Sequence, residues 1–263
     1  MTKFHAKYLA HALTLKHASD NIENLTRSIA NARVDLNPHQ VRAALFALQS
    51  PLSKGVILAD EVGLGKTIEA GLVIAQRWAE RRRHILLIVP AFLRKQWEQE
   101  LRDKFFLPVK ILDSKKLKEA QSAGETNPFK TNSHIVICSY SFAVDQAHHL
   151  KAVNWDLAVI DEAHRLRNVY KSSNKQAKSI TETLAEKPKL LLTATPLQNN
   201  LMELYGLVSI IDPHTFGDPE SFRCQFIQAQ GDELCYQQLR ERLRPLAIRT
   251  LRKQVQGYTI YHK

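Results

Sequence analysis

Two places in this chain carry side chains that together could handle a phosphate. Lys66 and Thr67 close a glycine-punctuated stretch, ADEVGLGKTIEAG at residues 59–71, and Asp161 and Glu162 stand side by side where an apolar run ends. Gly63 and Gly65 lack a Cβ, so the backbone of the turn, Leu64 included, can direct its amides toward an anion at a helix N-terminus, where the helix dipole favours negative charge. Lys66 would then reach the β- and γ-phosphates of a nucleotide, and the Thr67 hydroxyl would hold a magnesium ion. Asp60 occupies the position at which the general G-x-x-x-x-G-K-[ST] pattern has its first glycine. Taken alone, the stretch also reads as a glycine-rich turn with a solvated lysine.

Two adjacent carboxylates repel each other unless a cation sits beside them. Asp161 would ligate magnesium, directly or through water, and Glu162 would orient the water that attacks the γ-phosphate. A solvated acidic helix start is the plainer alternative. In TATPLQNN, residues 193–200, Thr193 and Thr195 place hydroxyls where a strand ends. Such a turn could sense a γ-phosphate, or it is simply a polar loop. The carboxamide of Gln40 could pair with both the donor and the acceptor of an adenine edge, which a carboxylate or an ammonium could not. An ordinary surface glutamine near a helix start is the competing reading.

These residues need a scaffold that brings strand ends together. The apolar run at 56–59 reads as a strand, followed by a helix with Ile68, Leu72, Ala75 and Ala79 on one face and Glu69, Gln76 and Glu80 on another. Further apolar runs at 85–89, 109–112, 135–139, 155–160 and 190–193 alternate with helical patterns, among them Leu93, Trp97, Leu101 and Phe105. Near-continuous apolar strands alternating with helices predict a central, mostly parallel α/β sheet covered on both faces, with the chemistry at the strands' carboxyl ends. Residues 1–36 read as a helical lead-in, with Ile22, Leu25 and Ile29 on one stripe and Asp20 and Glu23 as a capping box. Pro38 opens a new helix carrying Val41, Leu45 and Leu48. Stretches 201–211, 219–228 and 239–255 read as helices with many exposed arginines and lysines.

The 263 residues can bury a substantial core and suit one large α/β domain. A formal net charge of +11 points to a polyanionic partner, or else to a basic, solvated surface. Cys138, Cys224 and Cys235 are odd in number and in no metal-ligand spacing, which fits a reducing compartment. No apolar stretch is long enough to span a membrane, and the polar N-terminus lacks a signal-peptide core, so no membrane partner is expected.

The motifs LADEVGLGKTIEAG, VICSYSF, VIDEAHRLRN and LTATPLQNN, in that order and spacing, resemble the first RecA-like lobe of superfamily-two helicases, and within them the Swi/Snf-type ATPases that translocate on duplex DNA. The resemblance covers residues 36 to about 255. Ala194 and the wording of the phosphate loop are similar to the RapA-like bacterial branch. This implies a RecA-like P-loop NTPase lobe at 37–215, between the lead-in and a basic helical extension at 216–263 that leads toward a second lobe. It implies ATP and Mg2+ as cofactors, with Gln40 at adenine, Asp60, Gly63, Leu64, Gly65, Lys66 and Thr67 around the phosphates, and Lys66, Asp161 and Glu162 as catalytic residues. Thr193, Thr195 and Arg249 would couple hydrolysis to DNA. Thr250 stands where a second arginine is usual in the family. Duplex DNA held by its phosphate backbone, and RNA polymerase or another protein complex, are the implied partners, in a bacterial cytoplasm close to the nucleoid. The arginine fingers of such enzymes come from the second lobe, so residues 1–263 alone are expected to bind ATP weakly and hydrolyse it poorly. A strand-separating helicase on RNA or single-stranded DNA, and a non-catalytic nucleotide-binding adaptor, are the rival readings.

Overall fold

The computed structural model of the protein describes residues 32–50, 55–196, 200–228 and 233–255. The expected lead-in stripe of Ile22, Leu25 and Ile29 lies outside them, as does the tail of the 193–200 turn. The first described helix, α1 (Pro38–Gln49), starts on a proline, whose missing N–H costs nothing in a first turn. Asn37 and Gln40 form a reciprocal cap around that start. The chain then alternates: β1 (Gly55–Leu58), α2 (Lys66–Ala79), β2 (Ile85–Val89), α3 (Arg94–Phe105), β3 (Val109–Ile111) and α4 (Ser114–Ser122). It continues through β4 (Ile135–Ser139), α5 (Tyr140–Asp145), α6 (Ala147–Lys151), β5 (Leu157–Ile160), α7 (Lys175–Thr183), β6 (Lys189–Leu192) and α8 (Leu201–Ile211).

The strands form one sheet in the order β3-β4-β2-β5-β6-β1, with a seventh strand, β7 (Ala247–Ile248), beyond β1. Every pairing is parallel. All carboxyl ends therefore lie along one edge, and the loops carrying Lys66, Asp161 and Thr193 leave from three neighbouring strands of that edge, β1, β5 and β6. Two apolar clusters fill the two faces of the sheet. One joins β1, β2, β4 and β5 to α5, α7 and α8; the other packs α1, α2 and α3 on the opposite side.

One expectation needs correction. Residues 239–255 are not one helix: α9 (Pro219–Phe222), a π-helical turn and α10 (Glu233–Leu243) precede Pro245, which cannot donate to a helix ladder, and the chain then enters β7. A last helical turn, α11, spans Arg252–Val255. Phe216, Phe222, Phe226, Leu239 and Leu246, beyond the boundary expected between 215 and 216, belong to the same apolar cluster as the strands. The polar side of the phosphate-loop helix is turned inward. Glu69 and Gln76 are buried, because α2 is covered by α1 and α3 as well as by the sheet. Among the described residues, no helix is long and apolar enough to cross a membrane.

Candidate nucleotide site

The turn between β1 and α2 has the conformation that its glycines permit. Gly63 and Gly65 sit at φ +85° and +91°, the left-handed region that side chains with a Cβ avoid. Gly65 is needed twice over, since a Cβ there would fall 2.3 Å from Gln40 Nε2. Among the described residues, the backbone N–H groups of Gly63, Gly65, Lys66 and Thr67 have no acceptor, which leaves four donors at the N-terminus of a 14-residue helix. That is the cradle an anion fits, and it is the observation on which a phosphate reading rests.

Lys66 is folded back into its own loop, donating from Nζ to the carbonyls of Asp60 (2.8 Å) and Glu61 (3.3 Å). Burial lowers its pKa, while the charges of Glu69, Glu162, Asp161 and Asp60 work in the opposite direction. Lysine and the paired carboxylates thus face one another, as a phosphate and its cation require. Thr67 is half-buried beside Lys66.

Asp161 continues β5 and is gripped on all sides. Its Oδ1 accepts the N–H of Glu162 (2.8 Å), its Oδ2 accepts the indole N–H of Trp97 (2.8 Å), and its carbonyl accepts the Tyr140 hydroxyl (2.6 Å). Burial raises its pKa, and the Trp97 hydrogen bond offsets part of that. Glu162 adopts a left-handed conformation, φ +53°, where the chain leaves the strand. Its Oε2 lies 3.1 Å from His164 Nδ1. Neither Trp97 nor Tyr140 was singled out from the sequence. The signal was there: a buried indole or phenol on an apolar stripe needs an acceptor, and Asp161 is the one supplied.

Other expected residues are engaged within the protein itself. Asp60 does not face the cradle: its carboxylate is fully buried and Oδ1 accepts the N–H of Thr250 (2.6 Å). Gln40 is buried, with Oε1 accepting from Asn37 N (3.1 Å) and Nε2 donating to Leu64 O (3.0 Å), so each end of its carboxamide is already engaged. Leu64 is buried and contributes that carbonyl, which His39 Nε2 also meets at 2.9 Å. Behind the loop, His39, Asp60 and Glu69 form a buried group with ligand atoms within 4.8 Å of one another. Glu69 is pushed up to about 9 by burial and then by the charge of Asp60. Thr193 is buried at the end of β6, where its N–H continues the pairing to Leu58 O (3.0 Å) and its hydroxyl accepts Thr195 N (3.2 Å). Thr195 and Arg249 are exposed and are not brought to the phosphate cradle by any hydrogen bond.

A parallel sheet with a P-loop after β1, an acidic pair after β5 and a hydroxyl turn after β6 defines a RecA-like P-loop NTPase lobe. The chain belongs to the SNF2-related domain family, whose profile matches residues 38–263, and its site is that of a SNF2-family, helicase-like ATPase domain. It is 36% identical over 228 residues to the RNA polymerase-associated protein RapA of Pectobacterium carotovorum, covering 84% of this chain and 23% of that protein. It is 34% identical over 218 residues to the uncharacterized ATP-dependent helicase YqhH of Bacillus subtilis, covering 82% of this chain and 36% of YqhH. The chain therefore spans about a quarter to a third of the length of these curated relatives. Its fold matches the SWI2/SNF2 ATPase core of Sulfolobus solfataricus, solved in complex with dsDNA, at a TM-score of 0.68 and 24% identity, over 84% of this chain and 45% of that one.

Proposed function

We propose that this lobe binds ATP with magnesium and hydrolyses it to drive movement along double-stranded DNA. The carrying observation is the cradle of four unpaired amides with Lys66 on one side and Asp161 and Glu162 on the other. Binding exchanges the Lys66 contacts with Asp60 and Glu61 for the β- and γ-phosphates. Thr67 and Asp161 would hold magnesium, which neutralises charge developing on the phosphates. Asp161 arrives pre-oriented by Trp97 and Tyr140, and Glu162 directs the attacking water. Gln40 serves adenine by closing the floor of the cradle against Leu64, and its amide keeps one further N–H and one lone pair for the base.

DNA as the track is supported by the +11 charge, by the dsDNA complex of the structural relative, and by an exposed rim on the turn after β2. There Phe92, 75% exposed, precedes the half-buried Arg94 and the exposed Lys95. Backbone phosphates are the contacts, so sequence preference is weak. Thr195 and Arg249 line the same edge of the sheet and couple the cradle to the track. RNA polymerase, named in the relatives' description, is the proposed protein partner, and the bacterial cytoplasm near the nucleoid is the proposed location. The lobe alone turns over slowly, because an arginine delivered across the cleft contributes on the order of 10³–10⁵ in rate in such enzymes.

Steady-state ATP turnover by residues 1–263, with linear duplex, single strands or no nucleic acid, tests this. Slow turnover raised by duplex more than by single strands is expected, with nucleotide binding kept and turnover lost in Glu162→Gln. Turnover that survives Glu162→Gln, or a wild-type chain that binds no nucleotide, would overturn it.

A further inference from the structure

The segment after β7 does not leave the sheet at once but runs along the P-loop. Ala59 N donates to Ile248 O (2.9 Å) and Glu61 N to Thr250 O (3.2 Å), extending the β1–β7 pairing past the end of the strands. In return Thr250 N donates to Asp60 Oδ1 (2.6 Å), Arg252 N to Glu61 Oε2 (2.8 Å), and the Arg252 guanidinium to Val62 O through Nε (3.0 Å) and Nη2 (2.6 Å). That guanidinium also lies against Gly63, with Nη2 3.2 Å from where a Cβ would stand. Three consecutive residues of the loop are thus tied to a segment 190 positions away. The catalytic assignments above use none of these ties.

Asp60 and Glu61, the residues whose carboxylates hold Thr250 N and Arg252 N, also hold Lys66 through their carbonyls. Two of the three Lys66 donors are spent on those carbonyls, so drawing the ammonium onto the phosphates loosens the internal brace of the loop at 60–62 while its outer one is kept. Resting on the reading of this turn as a nucleotide cradle, we propose that residues 249–252 read the occupancy of the P-loop, with Arg252 and Asp60 as the positioning residues of that linkage. A phosphate in the cradle changes the hold on the segment, and by reciprocity whatever pulls on the segment changes affinity in the cradle. This also accounts for an aspartate at the first glycine position of the motif. Its carboxylate is turned away from the nucleotide and toward Thr250.

Hydrogen exchange of the whole chain, followed by mass spectrometry, tests the linkage in two arms. Without nucleotide, Arg252→Ala is expected to speed exchange of peptides covering 60–66 about tenfold, and Arg252→Lys less, because one donor to Val62 O remains. With Mg-ATP on the Glu162→Gln chain, exchange across 247–255 is expected to change several-fold, and Arg252→Ala to remove that response. Loop exchange indifferent to Arg252→Ala would overturn the tie. Nucleotide bound with unchanged exchange at 247–255 would overturn the coupling alone, whereas a chain that binds no nucleotide overturns the cradle reading with it.

Discussion

The sharpest prediction concerns Glu69, which no proposed catalytic step uses. It lies in the first turn of α2, fully buried, and neither carboxylate oxygen has a hydrogen-bond partner among the described residues. Burial, and then the neighbouring Asp60, raise its pKa from 4.5 to about 9. An unfolded chain releases this proton near 4.5 whereas the folded one keeps it to about 9, so the unfolded state binds fewer protons across that window. The contribution of Glu69 is therefore present in full below pH 4.5 and is lost as pH rises toward about 9. At about 1.4 kcal/mol per pH unit, the loss between pH 4.5 and 7.5 is on the order of 4 kcal/mol, a large share of a domain's stability. Glu69→Gln keeps the volume and a donor toward Asp60 but carries no titrating proton. It should be more stable than wild type at neutral pH, with a gap that widens from pH 5 to pH 8. Urea denaturation of both proteins at each pH measures this, the background titration of all other groups being common to the pair. Parallel stability curves, with a gap independent of pH, would refute the assignment of a bound proton at Glu69.

Trp97→Phe preserves most of the apolar contact but removes the donor to Asp161 Oδ2; it should cost about 1–3 kcal/mol and weaken magnesium-dependent nucleotide affinity. A fluorescent-nucleotide titration at stepped Mg2+ would show an unchanged metal dependence if the indole were merely filling space. Gly206→Ala should be severely destabilising, since the new Cβ would stand 1.7 Å from the carbonyl of Arg167, where α8 crosses the turn after the acidic pair. Backbone must move there, so a cost at or above about 3 kcal/mol in urea is expected, and a neutral result would mean the helix does not pack so closely.

The sequence made the central sheet legible because its strands are apolar on both faces and each is short, separated by turns and followed by a helical pattern. The cradle was legible because few turns need Gly63, Gly65, Lys66 and Thr67 together. What escaped was set by partners remote in sequence. Ala247 and Ile248 become a strand only because the edge of β1 is open beside them, and two residues carry no periodicity of their own. Glu69 looked like part of a polar helix face, and only the covering by α1 and α3 makes it an interior acid. Asp60 could be noticed as a departure from the motif, but its purpose is set by Thr250. Trp97 read as core, which it is, and its indole N–H had no visible addressee until β5 was placed beside it.

The strand order also dictates how the chain must come together as it is made. β1 is the first strand synthesised, yet its neighbours are β6 and β7, and β2 pairs with β4 and β5 instead. Until residues 189–192 emerge, both edges of β1 stay open, and the outer one waits for residues 247–248. Folding must therefore close over long separations in sequence, which is slow and leaves strand edges exposed meanwhile. The cradle, written near the beginning of the sheet, is completed last: a chain cut before β6 would carry the whole phosphate motif and have no sheet to hold it.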